Sequence, residues 1–200
     1  MISRRAFVAL LPCMPALLPC MPAQAAQATG PAPGAALWPA LRAGGLILAL
    51  RHAETEPGIG DPPQFRLGDC ATQRNLSAAG RAQAQRLGQQ LLQQGVGVNA
   101  VFSSRWCRCI DTARLAFGRV QPLPALDSFF GAMHLAQART IALRQFLTDQ
   151  PLPKAGNLVV VTHQVNITAL TGIHPAMGES VVLERGSEGR LDVLGTLPPP

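Results

Sequence analysis

The chain has 200 residues, 48% of them apolar and 14% charged, which suits one compact domain with a buried core and leaves little room for two. Its formal charge of +6 comes from 17 basic residues against 11 acidic ones. The basic residues form no polybasic run interleaved with aromatics, so the composition argues against nucleic-acid binding and toward a small anionic substrate.

Residues 1–25 differ in kind from the rest. Met1 to Arg5 is a short basic start, Ala6 to Pro22 is apolar, and Ala23-Gln24-Ala25 fits the small-x-small pattern of a cleavage site. A signal peptide is therefore expected over 1–25, of twin-arginine type if Ser3-Arg4-Arg5-Ala6-Phe7-Val8 is that motif and of the general secretory type otherwise. Within it Leu-Leu-Pro-Cys-Met-Pro-Ala stands twice, at 10–16 and 17–23, and the prolines argue against a stable membrane span. A lipid anchor on Cys13 or Cys20 is disfavoured by the proline before each. The expected location is periplasmic or otherwise exported. Removal of the leader takes Arg4 and Arg5 from the 17 basic residues and leaves 15 against 11 acidic ones, with Lys154 the single lysine.

Residues 26–43 read as a lead-in, rich in Gly, Pro and Ala before a short helix over 37–42; the folded domain is expected over 44–195, with a Pro-rich tail at 196–200. A strand over 45–50 ends in Arg51-His52. Ser77 caps a helix over 78–94 that Gly95 ends. A second strand at 100–102 breaks at Ser103-Ser104, either of which is placed to cap a helix over 105–117. A third helix is expected over 134–147, and the β-branched run 158–162 has the signature of a fully buried strand ending in His163. A helix over 165–171 and two strands, 180–185 and 190–194, close the domain. Strands alternating with helices imply an α/β fold: a single domain with a mostly parallel central sheet and helices on both faces. Trp106, Phe129 and Phe130 read as packing residues, and His134 and His174 as solvent-facing.

Cys70, Cys107 and Cys109 lie outside the leader. In an oxidising compartment Cys70 would pair with Cys107 or Cys109; the alternative is three reduced, buried thiols. Cys107 and Cys109 flank Arg108 on one helix and no second paired ligand motif accompanies them, so no metal and no other cofactor is expected.

In a parallel sheet the two strands that end in His52 and His163 deliver both imidazoles to the same edge, where open α/β folds place their ligands. Arg51 leaves beside His52, and Arg108 lies in the first turn of a helix whose N-terminus faces the same edge. Two imidazoles with two guanidinium groups suit phosphoryl transfer through nitrogen: one imidazole attacks phosphorus, and the others neutralise the oxygens over which charge spreads. The leaving alkoxide needs a proton, for which Asp127 is the first candidate and Glu54 the second.

These residues resemble the histidine phosphatase superfamily, the group related to phosphoglycerate mutase. Leu50-Arg51-His52-Ala53-Glu54 is similar to its Arg-His-Gly-Glu, and Leu76-Ser77-Ala78-Ala79-Gly80-Arg81-Ala82-Gln83-Ala84 to its Leu-Ser/Thr-x-x-Gly-x-x-Gln-Ala helix. Ser103-Ser104-Arg105-Trp106-Cys107-Arg108-Cys109-Ile110-Asp111-Thr112-Ala113 resembles its Ser-Ser-Pro-x-x-Arg-Ala-x-Gln-Thr-Ala element, and Val161-Thr162-His163 the strand that ends in its second histidine. The resemblance implies a phosphoglycerate mutase-like fold, His52 as the phosphorylated nucleophile, and Arg51, Arg108 and His163 as the phosphate pocket. It also implies an acid at Asp127, four positions before Gly131, where the family usually has Glu. Ala53 and Gln164 replace the family's usual glycines, Arg105 its proline, and the stretch 56–74 lacks its frequent Asn. Gln164, Arg66 and Arg74 are expected at the substrate entrance, with Glu54 nearby. The expected activity is metal-independent hydrolysis of small phosphomonoesters, with a noncatalytic phospho-ligand binder as the alternative; a mutase fits an exported protein less well. The sequence specifies no oligomeric state.

Overall fold

The computed structural model of the chain describes residues 34–152 and 155–200. The expected signal peptide, residues 26–33 of the lead-in and Lys154 lie outside the described residues. Helix α1 (Trp38–Ala43) leads into strand β1 (Ile47–Arg51), and a long connection then reaches α2 (Ala78–Gln93). Strand β2 (Val98–Ser103), α3 (Cys107–Phe117), the short β3 (Gln121–Pro122), α4 (Ala136–Asp149), β4 (Asn157–Thr162), α5 (Gln164–Thr171), β5 (Ser180–Arg185) and β6 (Leu191–Leu197) follow. They form one six-stranded sheet in the order β3-β2-β4-β1-β5-β6. The first four strands in that order run parallel, and β5 and β6 join antiparallel.

The apolar runs of β1 and β4 divide by parity. Leu48, Leu50, Val159 and Val161 pack with Leu41, Leu87, Leu91, Cys109 and Ala113 of α1, α2 and α3. Ile47, Ala49, Leu158 and Val160 pack on the other face with Leu143, Leu147, Ile167 and Leu170 of α4 and α5. Both faces of the central strands are thus covered, which is why their sequence is continuously hydrophobic rather than alternating.

Ser77 caps α2 as expected, its hydroxyl accepting from the Gly80 amide at 3.0 Å. At α3 the outcome differs. The helix starts at Cys107, two residues later than expected, because the amides at its start are met from outside: Trp106 N–H donates to the Ser104 hydroxyl and Cys107 N–H to the Gln73 side chain. A 3-10 turn over Met133–Leu135 likewise precedes α4, and β6 runs on to Leu197. Cys70 and Cys107 form a disulfide while Cys109 is a buried free thiol. Trp106 and Phe129 are buried, but Phe130 is 54% exposed, lying over Gly60; His134 and His174 are exposed. Among the described residues no helix is long and apolar enough to cross a membrane.

Candidate active site

Arg51 on β1 sits opposite Thr162 on β4, so the next residue on each strand is a histidine. The His52 amide extends the register by donating to the Thr162 carbonyl at 3.0 Å. The two imidazoles meet edge to face with ring centroids 5.5 Å apart, and Trp106 stands edge-on to His163 at 5.4 Å.

The tautomer of each ring follows from its partners. His52 Nδ1 lies 2.8 Å from the carbonyl of Ala53, which can only accept, so Nδ1 carries the proton and Nε2 keeps its lone pair. His163 Nδ1 lies 3.4 Å from Nη2 of Arg108, which can only donate. Its Nε2 therefore bears the proton and donates to the Ser104 hydroxyl at 2.8 Å. Burial, then the charge of Arg108, then those of Arg51 and Arg74, lower the His52 pKa to about 3 against the opposing bond to Ala53. Burial and the same guanidinium groups hold His163 well below the ordinary histidine value. Both rings are neutral, the form in which an imidazole nitrogen is a nucleophile.

The backbone that carries His52 is fixed by motif residues for which sequence reasoning supplied no role. Thr112 on α3 accepts from the Ala53 amide at 3.0 Å while donating to the Arg108 carbonyl at 2.7 Å. Gln83 on α2 accepts from the Glu54 amide and donates to the Met177 carbonyl, at 3.0 and 3.1 Å. A Cβ on Gly80 would stand 1.8 Å from the Glu54 carbonyl oxygen, so only glycine lets α2 approach the loop after His52. The motif signal pointed to all three; their use is to hold two loop amides and a close backbone crossing.

Three guanidinium groups surround the histidines. Arg51 donates through Nη1 to the Pro175 carbonyl at 2.8 Å, Arg74 through Nη1 to the Gly58 carbonyl, and Arg108 through Nη1 and Nη2 to Asp61 at 2.7 and 3.1 Å. Burial and mutual repulsion lower the pKa of Arg51, which feels Arg74 and Arg108, and that of Arg74, which feels Arg108. The Nε of all three is buried without a hydrogen-bond partner. Desolvated N–H donors pointing nowhere are costly, and an anion with several oxygens would satisfy them together.

Asp127 is fully buried behind the site. Its Oδ1 accepts from Arg105 N at 2.9 Å and from the Ser104 hydroxyl at 3.4 Å, and its Oδ2 is gripped by the Arg105 guanidinium. It reaches His163 only through Ser104. Glu54 is exposed, beside the loop that follows His52. Gln164 is half-buried and turned to Thr168 of its own helix at 3.2 Å, and Arg66 is paired with Asp69 at 2.7 Å on the surface. The helix start that was expected to face an anion has its first amides taken by Ser104 and Gln73. Asp61, which the sequence offered only as one polar residue in the stretch 56–74, is the carboxylate that enters the site. Among the described residues no three His, Cys, Asp or Glu side chains are grouped to hold a metal ion.

Residues 47–133 match the model of the histidine phosphatase superfamily (branch 1). No curated protein matches the chain by sequence. Among solved structures, the alpha-ribazole phosphatase from Shigella flexneri superposes with a TM-score of 0.56 at 16% identity, over 74% of this chain and 94% of that one. Phosphoserine phosphatase from Entamoeba histolytica, in complex with 3-phosphoglyceric acid, gives 0.55 at 15% identity over 76% and 95%. The protein histidine phosphatase SixA, complexed with tungstate, gives 0.52 at 14% identity over 77% and 97%. These neighbours share the α/β fold with its mostly parallel central sheet.

Proposed function

We propose that this chain is a phosphatase of the histidine phosphatase superfamily that hydrolyses small phosphomonoesters through a phosphohistidine on His52. The observation that carries the reading is the set of three buried, partnerless guanidinium Nε atoms around two neutral imidazoles. The match of residues 47–133 to that family's model supports it, as do phosphatase neighbours of the same fold.

His52 Nε2 attacks phosphorus in line with the ester oxygen, and the P–O bond breaks as the P–N bond forms. Arg51, Arg74 and Arg108 take the charge that spreads over the equatorial oxygens, a task this site gives to arginine without requiring a metal. The leaving alkoxide takes up one proton, for which Glu54 is the exposed carboxyl beside the nucleophile's loop. Water then attacks the phosphohistidine while the Glu54 carboxylate takes a proton from it; the P–N bond breaks, inorganic phosphate leaves, and His52 and Glu54 return to their starting states. Asp127, tied to Arg105 and Ser104, orients His163 from behind.

A noncatalytic phospho-ligand binder is the second reading, and what favours it is that Asp127, the first candidate acid, is buried with its carboxylate held by Arg105. Export belongs to the proposal as well, supported by the leader-like segment and by a disulfide, which persists in oxidising compartments. The deciding experiment is to trap label on the protein from a phosphorylated substrate. Acid-labile label on the wild type and none on His52→Ala is the expected result. Label that survives in His52→Ala removes the nucleophile assignment, and a wild type that binds phosphate but never takes label or turns over leaves the binder.

A further inference from the structure

Asp61 stands out because it is the one carboxylate among the described residues that meets a site arginine, and it does so with both oxygens. Its Oδ1 accepts from Arg108 Nη1 at 2.7 Å and from the Arg74 amide at 3.0 Å; its Oδ2 accepts from Arg108 Nη2 at 3.1 Å and from the Trp106 indole at 2.9 Å. The ion pair is buried on both sides. Burial by itself would raise the Asp61 pKa, but the hydrogen bonds and charge of Arg108, with the Arg74 amide and the Trp106 indole, hold it below the ordinary value. A carboxylate so held is a poor proton donor and a good anchor.

A guanidinium group has more than one edge. The end-on edge, Nη1 with Nη2, is given to Asp61. The side-on edge, Nε with Nη2, remains: Nε is buried with no partner, and Nη2 is also 3.4 Å from His163 Nδ1. The grip of Asp61 therefore turns the side-on fork of Arg108 toward the imidazoles. It also sets the charge of the pocket, because three guanidinium groups against one carboxylate leave two positive charges. Two is the charge of a phosphomonoester dianion, whereas a diester carries one negative charge.

We propose that Asp61 is a positioning and specificity residue, which orients Arg108 to present its Nε–Nη2 edge to phosphate and balances the pocket for a dianionic monoester. Resting on the phosphatase reading above, the assignment concerns how the phosphate is held. The loop that carries Asp61 is fastened at its other end by the Cys70–Cys107 disulfide, one residue from Arg108. Backbone, side chain and covalent ties thus converge on one guanidinium.

A double-mutant cycle on the full-length protein tests this, with Asp61→Ala and Asp61→Asn made alone and combined with Arg108→Ala. The readouts are binding of inorganic phosphate and of vanadate by calorimetry, and kcat and KM for an aryl phosphate. Asp61→Ala is expected to weaken vanadate binding and lower kcat by about 100-fold, and Asp61→Asn by about 10-fold, with both effects vanishing in the Arg108→Ala background. The preference for a monoester over the matching diester is expected to narrow in Asp61→Asn. Losses that persist undiminished in the Arg108→Ala background, or an Asp61→Ala protein that binds vanadate as the wild type does, would overturn the assignment. A wild type that binds neither anion fails the phosphatase reading instead, so the two failures are distinguishable.

Discussion

The rings of His52 and His163 stand edge to face at 5.5 Å, each closed in by the guanidinium groups of Arg51, Arg74 and Arg108. With His52 lowered to about 3, the imidazole proposed as nucleophile stays unprotonated throughout the mildly acidic range. The acid limb of kcat/KM is then expected to follow the substrate, whose second phosphate ionisation lies near about 6 for an alkyl ester. Rate profiles for an alkyl and an aryl phosphate check this: the limb should move with the substrate's own ionisation. A limb fixed near the ordinary histidine value for every substrate would show His52 titrating as an exposed imidazole.

The same depression makes stability depend on pH. Between about 3 and the ordinary value of 6.5 the folded His52 stays neutral while the unfolded one takes up a proton. The unfolded state binds more protons in that window, so stability is fully present above 6.5 and declines as pH falls through it. Urea denaturation midpoints are expected to drop from pH 8 to pH 5, and His52→Gln should flatten that dependence. An unchanged slope in the variant would assign the effect to other groups.

The fold was legible because its signals are local and repeated. Uninterrupted apolar runs at 47–50 and 158–161 could only be strands covered on both faces, and both end in histidine, which the parallel register then places side by side. Arg108 was legible from its place in the first turn of the helix that follows Ser103-Ser104. What stayed hidden is long-range pairing of charges. Nothing in the spacing of Asp61 ties it to Arg108, 47 residues on, and nothing near Asp127 shows that Arg105, in place of a proline, would neutralise it. The stretch 56–74 has no hydrophobic period to place it; a disulfide and side-chain bonds to backbone groups hold it instead.

That disulfide yields a further prediction. It closes a segment of 37 residues, for which loop-closure entropy gives about 4 kcal/mol. Paired Cys70→Ser and Cys107→Ser substitution, or thiol reduction, should lower the unfolding free energy read from urea denaturation by that order. It should also reduce kcat/KM, because Asp61 and Arg74 sit on the freed loop. Cys109→Ser separates the thiols: buried and unpaired, Cys109 has no part in the closure.

Gly80 offers a purely steric check. A methyl group there meets the Glu54 carbonyl at 1.8 Å, with backbone on both sides and no flexible side chain to yield. Gly80→Ala is expected to destabilise by about 1–3 kcal/mol and to displace the loop after His52, so that kcat falls along with the melting temperature. Gly118→Ala is a useful contrast. No atom lies within 4 Å of its Cβ position, so its cost is confined to the positive φ of 68°. Its activity should be unchanged.

Leaving-group protonation separates the two carboxyl groups named at the outset. Asp127→Asn keeps the shape but removes the charge that pairs with Arg105 and, through Ser104, steadies His163. Its cost should appear as about 1–3 kcal/mol of stability, with a loss of kcat that is the same for alkyl and aryl phosphates. Glu54→Gln should behave in the opposite way: normal stability, since the side chain is exposed, and a large loss with alkyl phosphates that shrinks as the leaving group becomes more acidic. Plotting log kcat/KM against leaving-group pKa for the wild type and both variants gives the answer in one set of measurements. A steeper slope in Glu54→Gln with an unchanged one in Asp127→Asn assigns the proton to Glu54. The reverse would mean that Asp127 leaves Arg105 during turnover and reaches the leaving oxygen itself.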